Sequence, residues 1–122
     1  MLYNKLMKQL HQMGLQPRYF NYIKSGTKRI ELRLNDSKRQ QIQVGDEIQF
    51  TCGTQYILAK VKGKIHFDTF KDLFEFLGHD MTLVASKDTS EEEMLKVMEQ
   101  FYPLPKQHQL GVVGLVIEPV KA

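Results

Sequence analysis

The stretch IKSGTKRIELRLNDSKRQQIQVGD, residues 23–46, decides the fold. Its first third closes a helix: PRYFNYIKSG places Pro17 in the first turn and Gly26 just past the end, with Phe20 and Ile23 facing a core. KRIELRL then alternates. Ile30, Leu32 and Leu34 point one way, and Arg29, Glu31 and Arg33 the other, as in a half-buried strand. NDSK supplies a turn and a cap for a short helical turn through Gln41. A Gly-Asp turn feeds a second strand, Glu47 to Cys52. The same stretch holds six basic side chains (Lys24, Lys28, Arg29, Arg33, Lys38, Arg39) within sixteen residues, with Glu31 among them. Two explanations stand open: a solvated ladder of ion pairs, or a pocket that grips a polar, anionic ligand.

Working outward, residues 2–11 have Leu2, Leu6 and Leu10 at four-residue spacing, which predicts a short amphipathic helix. MGLQ, residues 13–16, reads as a brief strand. QYILAKVKGKIHF is a long strand with Ile57, Ala59, Val61 and Ile65 on one face. Lys60, Lys62, Lys64 and His66 lie on the other, and Gly63 marks a bulge. DTFKDLFEFLG predicts a helix capped by Asp68 or Thr69, with a stripe of Phe70, Leu73, Phe74 and Leu77. HDMTLVASKD is an irregular connection. TSEEEMLKVMEQFY begins a second helix at Thr89 or Ser90, with three glutamates at the positive end of its dipole. Met94, Leu95, Met98 and Phe101 form its core face, and PLPK breaks it. LGVVGLVIEPV is almost wholly apolar, which predicts a strand covered on both faces. The order predicts an α+β domain: a small mixed β-barrel with peripheral helices.

With 122 residues, the chain is the usual size of one domain and long enough for a core without metals or disulfides. One cysteine, Cys52, precludes an internal disulfide and fits the reducing cytoplasm. The N-terminus shows neither a continuous hydrophobic region nor a small-residue cleavage site, and no apolar run is long enough for a membrane span. The net charge of +3 conceals an asymmetry: residues 16–64 carry ten Lys/Arg against four Asp/Glu, and residues 65–105 three against nine. A basic half attracts phosphate, and an acidic half weakens indiscriminate nucleic-acid binding.

Taken in order, IKSGTKRIELRLNDSKRQQIQVGDEIQF, VKGKIHFDTFKDLF and LGVVGLVIE resemble the ASCH domain, a branch of the PUA-like superfamily. The resemblance runs from about Met13 to Ile117, and the chain reads as a single domain, 1–122, with this core at about 13–117 behind a short N-terminal helix. It implies a PUA-like barrel of five or six strands. Its cleft would be lined by the Gly-x-Lys segment (Gly26 to Lys28) and the Glu-x-Arg segment (Glu31 to Arg33). It further implies binding of RNA or a nucleotide-like small molecule. One branch is an amidohydrolase on N4-acetylcytidine that uses a lysine, a threonine and a glutamate. The lysine matches Lys28, Glu31 stands in the threonine's place, and no acid here is assigned to the glutamate. Another branch activity is cleavage of single-stranded RNA. The alternative function is therefore a small hydrolase of a modified nucleoside or RNA, with Lys28 and Glu31 as acid/base partners.

The chemistry of the residues favours binding. Desolvation lowers a lysine's pKa, whereas a nearby Glu31 raises it, so an exposed Lys28–Glu31 contact suits a charged ligand-binding lysine. Strict alternation puts Lys28 on the side of Ile30; joining Glu31 and Arg33 requires a strand that starts after it, or a bulge. The expected ligand-binding set is Lys28, Glu31, Arg33, Lys38, Arg39 and Tyr19, with Tyr19 stacking on a base. Lys38 and Arg39 either overhang the cleft mouth or are surface charge. Lys60, Lys62 and Lys64 read as a protected edge or solvated face rather than a phosphate track. His11, His66, His79 and His108 lack ligand spacing, and neither a metal nor a cofactor is expected. His108 reads as a surface residue or as part of a loop beside the barrel mouth, and Cys52 as a small core residue.

Overall fold

The structure, a computed structural model, describes residues 8–78 and 80–120. In chain order the elements are β1 (Leu10–Gly14), α1 (Pro17–Lys24), β2 (Ile30–Leu34), α2 (Ser37–Gln40), β3 (Glu47–Cys52) and β4 (Gln55–Phe67). They continue with α3 (Phe70–Leu77), a 3₁₀ turn (Met81–Leu83), α4 (Glu91–Phe101), α5 (Leu104–Leu110) and β5 (Val112–Pro119). The helices begin where the sequence supplies acceptors for orphan N–H groups. Arg39 N donates to Asp36 Oδ1, Asp72 N to Thr69 Oγ1, and Glu93 N to Ser90 Oγ. α1 starts instead on Pro17, which has no N–H to satisfy, and ends at Gly26 with φ +81°.

The strands form one mixed sheet in the order β1-β3-β4-β5-β2, curled into a half-barrel. β1 runs parallel to β3, and the other pairs are antiparallel. β1 and β2 are thus the two edges of an open seam. Apolar side chains fill both faces. Met13, Ile23, Ile48, Phe50, Val61, Val113 and Leu115 pack on one, and Ile30, Leu32, Phe70, Leu73, Phe74, Met94, Met98 and Val112 pack beneath the helices on the other. Alternate residues of β5 serve opposite cores, which is why its sequence shows no polar alternation. At Gly114, a Cβ would lie 3.0 Å from Ile65 Cγ1 and 3.1 Å from Ile30 Cγ2, so neighbouring strands close over a missing side chain.

Several expectations need correction. Leu10 and His11 belong to β1, not to an N-terminal helix; the rest of that helix, residues 2–7, and His79 lie outside the described residues. Asp46 draws the segment into the sheet by accepting from Gln9 N (3.1 Å) and binding His11 Nε2 (2.9 Å). The brief strand accordingly lies before, not over, residues 15–16. β2 is not half-buried, because Glu31 is 4% exposed. The bulge between Val61 and Gly63 does occur. It sends Ile65 to the helix-side core and tucks Lys64 onto the carbonyls of Arg39 and Ile42, at 2.9 Å each, so the lysine row is broken. PLPK does break α4, as expected, but a further helix follows at once: Pro103 caps α5 and Pro105 occupies its first turn, where a missing N–H costs nothing. His108 therefore lies on a helix, against Asp68 at 2.7 Å. Phe101 is 52% exposed instead of facing the core, and Cys52 is half-buried.

Candidate functional site

β2 starts at Ile30, so Lys28 precedes the strand and escapes its alternation. Its side chain folds back to lie beside Glu31. Lys28 Nζ lies 3.0 Å from Glu31 Oε1, and Arg33 Nε and Nη2 each lie 3.0 Å from Glu31 Oε2. The three expected ionic groups converge, but not on the surface: Lys28 is 2% exposed and Glu31 4%. Lys28 also donates to the carbonyls of Ile30 (2.7 Å) and Val84 (3.0 Å). An ammonium has three N–H donors, and these contacts use all of them. Arg33 Nη2 reaches across the seam to Gly14 O at 3.0 Å, tying the end of β1 to β2.

The electrostatics follow from this geometry. Burial lowers the Lys28 pKa, partly offset by Glu31. Burial pushes the Glu31 carboxyl up, but Lys28 and Arg33 outweigh it and hold it below the ordinary glutamate range. Two cations face one carboxylate, so the cluster keeps a positive surplus. Lys28 is held as a positioning group, with no free N–H and with its charge opposed by Glu31. That favours binding over proton-transfer chemistry at this amine.

A cleft of about 180 Å³ opens over the cluster. Gly14, Leu15 and Gln16 form one lip, and Tyr19 of α1 flanks them. Lys28, Glu31, Leu32 and Arg33 form the floor, and Met94, Met98, Phe101 and Tyr102 from α4 and its end form an apolar wall. The Lys28 ammonium lies 5.9 Å from the centre of the Tyr19 ring. Burial pushes the Tyr102 phenol up, leaving it a donor at neutral pH. Of the six expected residues, Lys28, Glu31, Arg33 and Tyr19 line the cleft. Lys38 and Arg39 do not: Lys38 is exposed on α2, and Arg39 pairs with Asp36 at 3.3 Å.

Sequence reasoning missed the wall. The Met94/Met98 spacing signals a helix stripe and gives no sign that the stripe's end overhangs a cavity. It also missed Arg18, whose guanidinium lies over the Tyr19 and Tyr22 rings at 5.9 and 5.7 Å and reaches Thr89 Oγ1 at 3.2 Å. Among the described residues, no cluster of His, Cys, Asp and Glu could hold a metal ion, and no helix is long and apolar enough to cross a membrane.

The comparisons with known proteins agree with this architecture. The hypothetical protein PH0355, known from a crystal structure, is 42% identical, with a TM-score of 0.80 over 93% of this chain and 100% of its own. Protein PF0455 from Pyrococcus furiosus, known from a solution NMR structure, is 35% identical, with a TM-score of 0.74 over 93% of this chain and 99% of its own. The S128A mutant of ZmASCH from Zymomonas mobilis shares the fold at 14% identity, with a TM-score of 0.61 over 92% of this chain and 73% of its own. No curated protein matches the sequence. The ASCH domain model matches residues 13–121, and the chain belongs to the ASCH domain family.

Proposed function

We propose that this protein binds single-stranded RNA or a nucleotide by taking one base into the cleft between β2 and α4. The observation that carries this reading is the cleft itself: a charged floor with a positive surplus beneath an apolar wall, with aromatic rings at the rim. A nucleobase has a polar edge and two apolar faces, and this cleft offers a partner to each. Phe101, an apolar ring left half in water with no core to fill, is suited to stack on an inserted or neighbouring base. Arg33 supplies the charge nearest the mouth. Lys28 holds Glu31 and the strand start in place and does not itself grip phosphate, which departs from the role expected of it from sequence.

The test is fluorescence anisotropy with a short, unstructured oligoribonucleotide over a range of salt, comparing wild type with Phe101→Ala. Binding should weaken linearly on a log–log plot against salt. Loss of one stacking contact is worth about 1–3 kcal/mol, roughly five- to 150-fold in affinity. Absence of binding by the wild type at low salt would defeat the reading. So would binding that Phe101→Ala leaves intact but that Lys60→Glu with Lys62→Glu, on the exposed part of β4, removes.

A further inference from the structure

The cleft is lined by residues from both faces of a single strand. Glu31 and Arg33 project from one face of β2, the face on which Glu31 stands opposite Leu115 of the barrel-side core. Met94 and Met98 pack on the other face, where Leu32 belongs to the helix-side core. A cavity that touches both faces of a strand lies over its edge. β2 pairs only with β5, so this edge faces the open seam.

The register shows which backbone groups point there. Asn35 N donates to Gly111 O, and Ile117 N to Arg29 O. Odd-numbered residues of β2 therefore form the hydrogen-bonded pairs with β5, and the even-numbered ones turn their N–H and C=O away from it. Lys28 independently marks that direction: its ammonium caps Ile30 O, on the same edge. The next groups along it are the N–H and C=O of Leu32. Leu32 is only 4% exposed and lines the cleft. Among the described residues, neither a side chain nor loop backbone donates to or accepts from either group. A buried peptide group without a partner is costly.

Resting on the proposed function, we infer that the Leu32 peptide edge reads the base, with its N–H donating to a ring carbonyl and its C=O accepting from the adjacent ring N–H. This selects oxo bases, uracil and guanine, whose lactam edge carries both groups. Adenine and cytosine can also present a donor beside an acceptor. They place an amino group where the oxo bases place a carbonyl, and the positive surplus of Lys28 and Arg33 over Glu31 favours the carbonyl. The volume suits one planar base and is too small for an added peptide strand, the other usual occupant of a free sheet edge.

The experiment is a proton–nitrogen NMR titration of the full chain with UMP, GMP, CMP, AMP and 3-methyl-UMP, in which a methyl replaces the ring N–H. UMP and GMP should shift the Leu32 amide proton downfield as its hydrogen bond forms. The Glu31 and Arg33 amides, already in the ladder with β5, should move less. Methylation should cost about tenfold or more in affinity, because Leu32 C=O loses its donor. Nucleotides that perturb the cleft side chains while leaving the Leu32 amide unmoved, with UMP and 3-methyl-UMP bound equally, would overturn the inference and leave base binding standing. Equal binding of all four unmodified bases would overturn the selectivity. Failure of every nucleotide to bind would overturn the proposed function and this inference with it.

Discussion

Replacing Glu31 by glutamine should be among the most destabilising changes available in this chain, although it removes no volume. Glu31 is 4% exposed, and its carboxylate is shared by Lys28 and Arg33, all at 3.0 Å. The amide keeps one acceptor oxygen and introduces an NH₂ group facing one of the two cations. Removing one partner of a buried ionic group costs about 3–5 kcal/mol, because the remaining charge stays desolvated and uncompensated. The partial exposure of Arg33 places the expectation at the lower end, about 3 kcal/mol. For 122 residues the unfolding entropy is roughly 0.26 kcal/mol/K, so Tm should fall by about 12 °C. The assay is urea denaturation of wild type, Glu31→Gln, Lys28→Met and the double variant. Lys28→Met alone strands the carbonyls of Ile30 and Val84 but leaves Glu31 paired with Arg33. The double variant should therefore be more stable than the sum of the single losses predicts, by about 1 kcal/mol or more. A Glu31→Gln protein within about 0.5 kcal/mol of wild type would refute the reasoning. It would mean that water reaches the cluster and that the original alternative, a solvated ladder, is correct.

Acid should destabilise the fold in a stated window. The Glu31 and Asp46 carboxyls both titrate lower in the folded protein than in the unfolded chain. For Glu31, the two cations outweigh burial; for Asp46, burial is outweighed by His11 and by the backbone amides of Gln43 and Gln9. Their contributions are complete above the unfolded values, about 4, and are lost as pH falls through the lower folded values. Denaturation midpoints measured from pH 6 downward should fall in that range, and less steeply in Glu31→Gln; parallel curves would contradict this account. Gly114→Ala should cost about 1–3 kcal/mol by pressing a methyl between Ile65 and Ile30, measurable as a lowered urea midpoint. Ser90→Ala should cost about 1 kcal/mol through loss of the acceptor for Glu93 N, with nucleotide affinity unchanged. Phe101→Ala should change stability by less than about 0.5 kcal/mol while weakening RNA binding, a separation that would be absent if the ring were a core residue.

Sequence patterns reveal what neighbouring residues decide, and this chain shows where that reach ends. The helix starts at Asp36, Thr69 and Ser90 are local contracts between a side chain and an amide three residues on, so they were legible. The covered strand β5 was legible because both of its faces are apolar. The bulge at Gly63 was visible as a glycine. Its consequence, the transfer of Ile65 and Lys64 to new environments, depends on how β4 pairs with β5 and lies beyond any local pattern. Likewise, Glu31 and Arg33 looked like the wet side of a half-buried strand. Alternation reports that two faces differ, but not that the second face is closed by the curl of the sheet. For Lys38 and Arg39 the sequence left two places open, over the cleft mouth or on the surface; neither lines the cleft, Lys38 being exposed on α2 and Arg39 paired with Asp36. The site thus depends on a fact of closure. A curled sheet leaves one seam, the seam exposes the edge of β2, and α4 roofs it. The ionic cluster at that place stabilises the strand start through Lys28 and the seam through Arg33 while leaving the Leu32 peptide unspent. The base-reading function proposed here requires both conditions together, a rigid edge and an unsatisfied one.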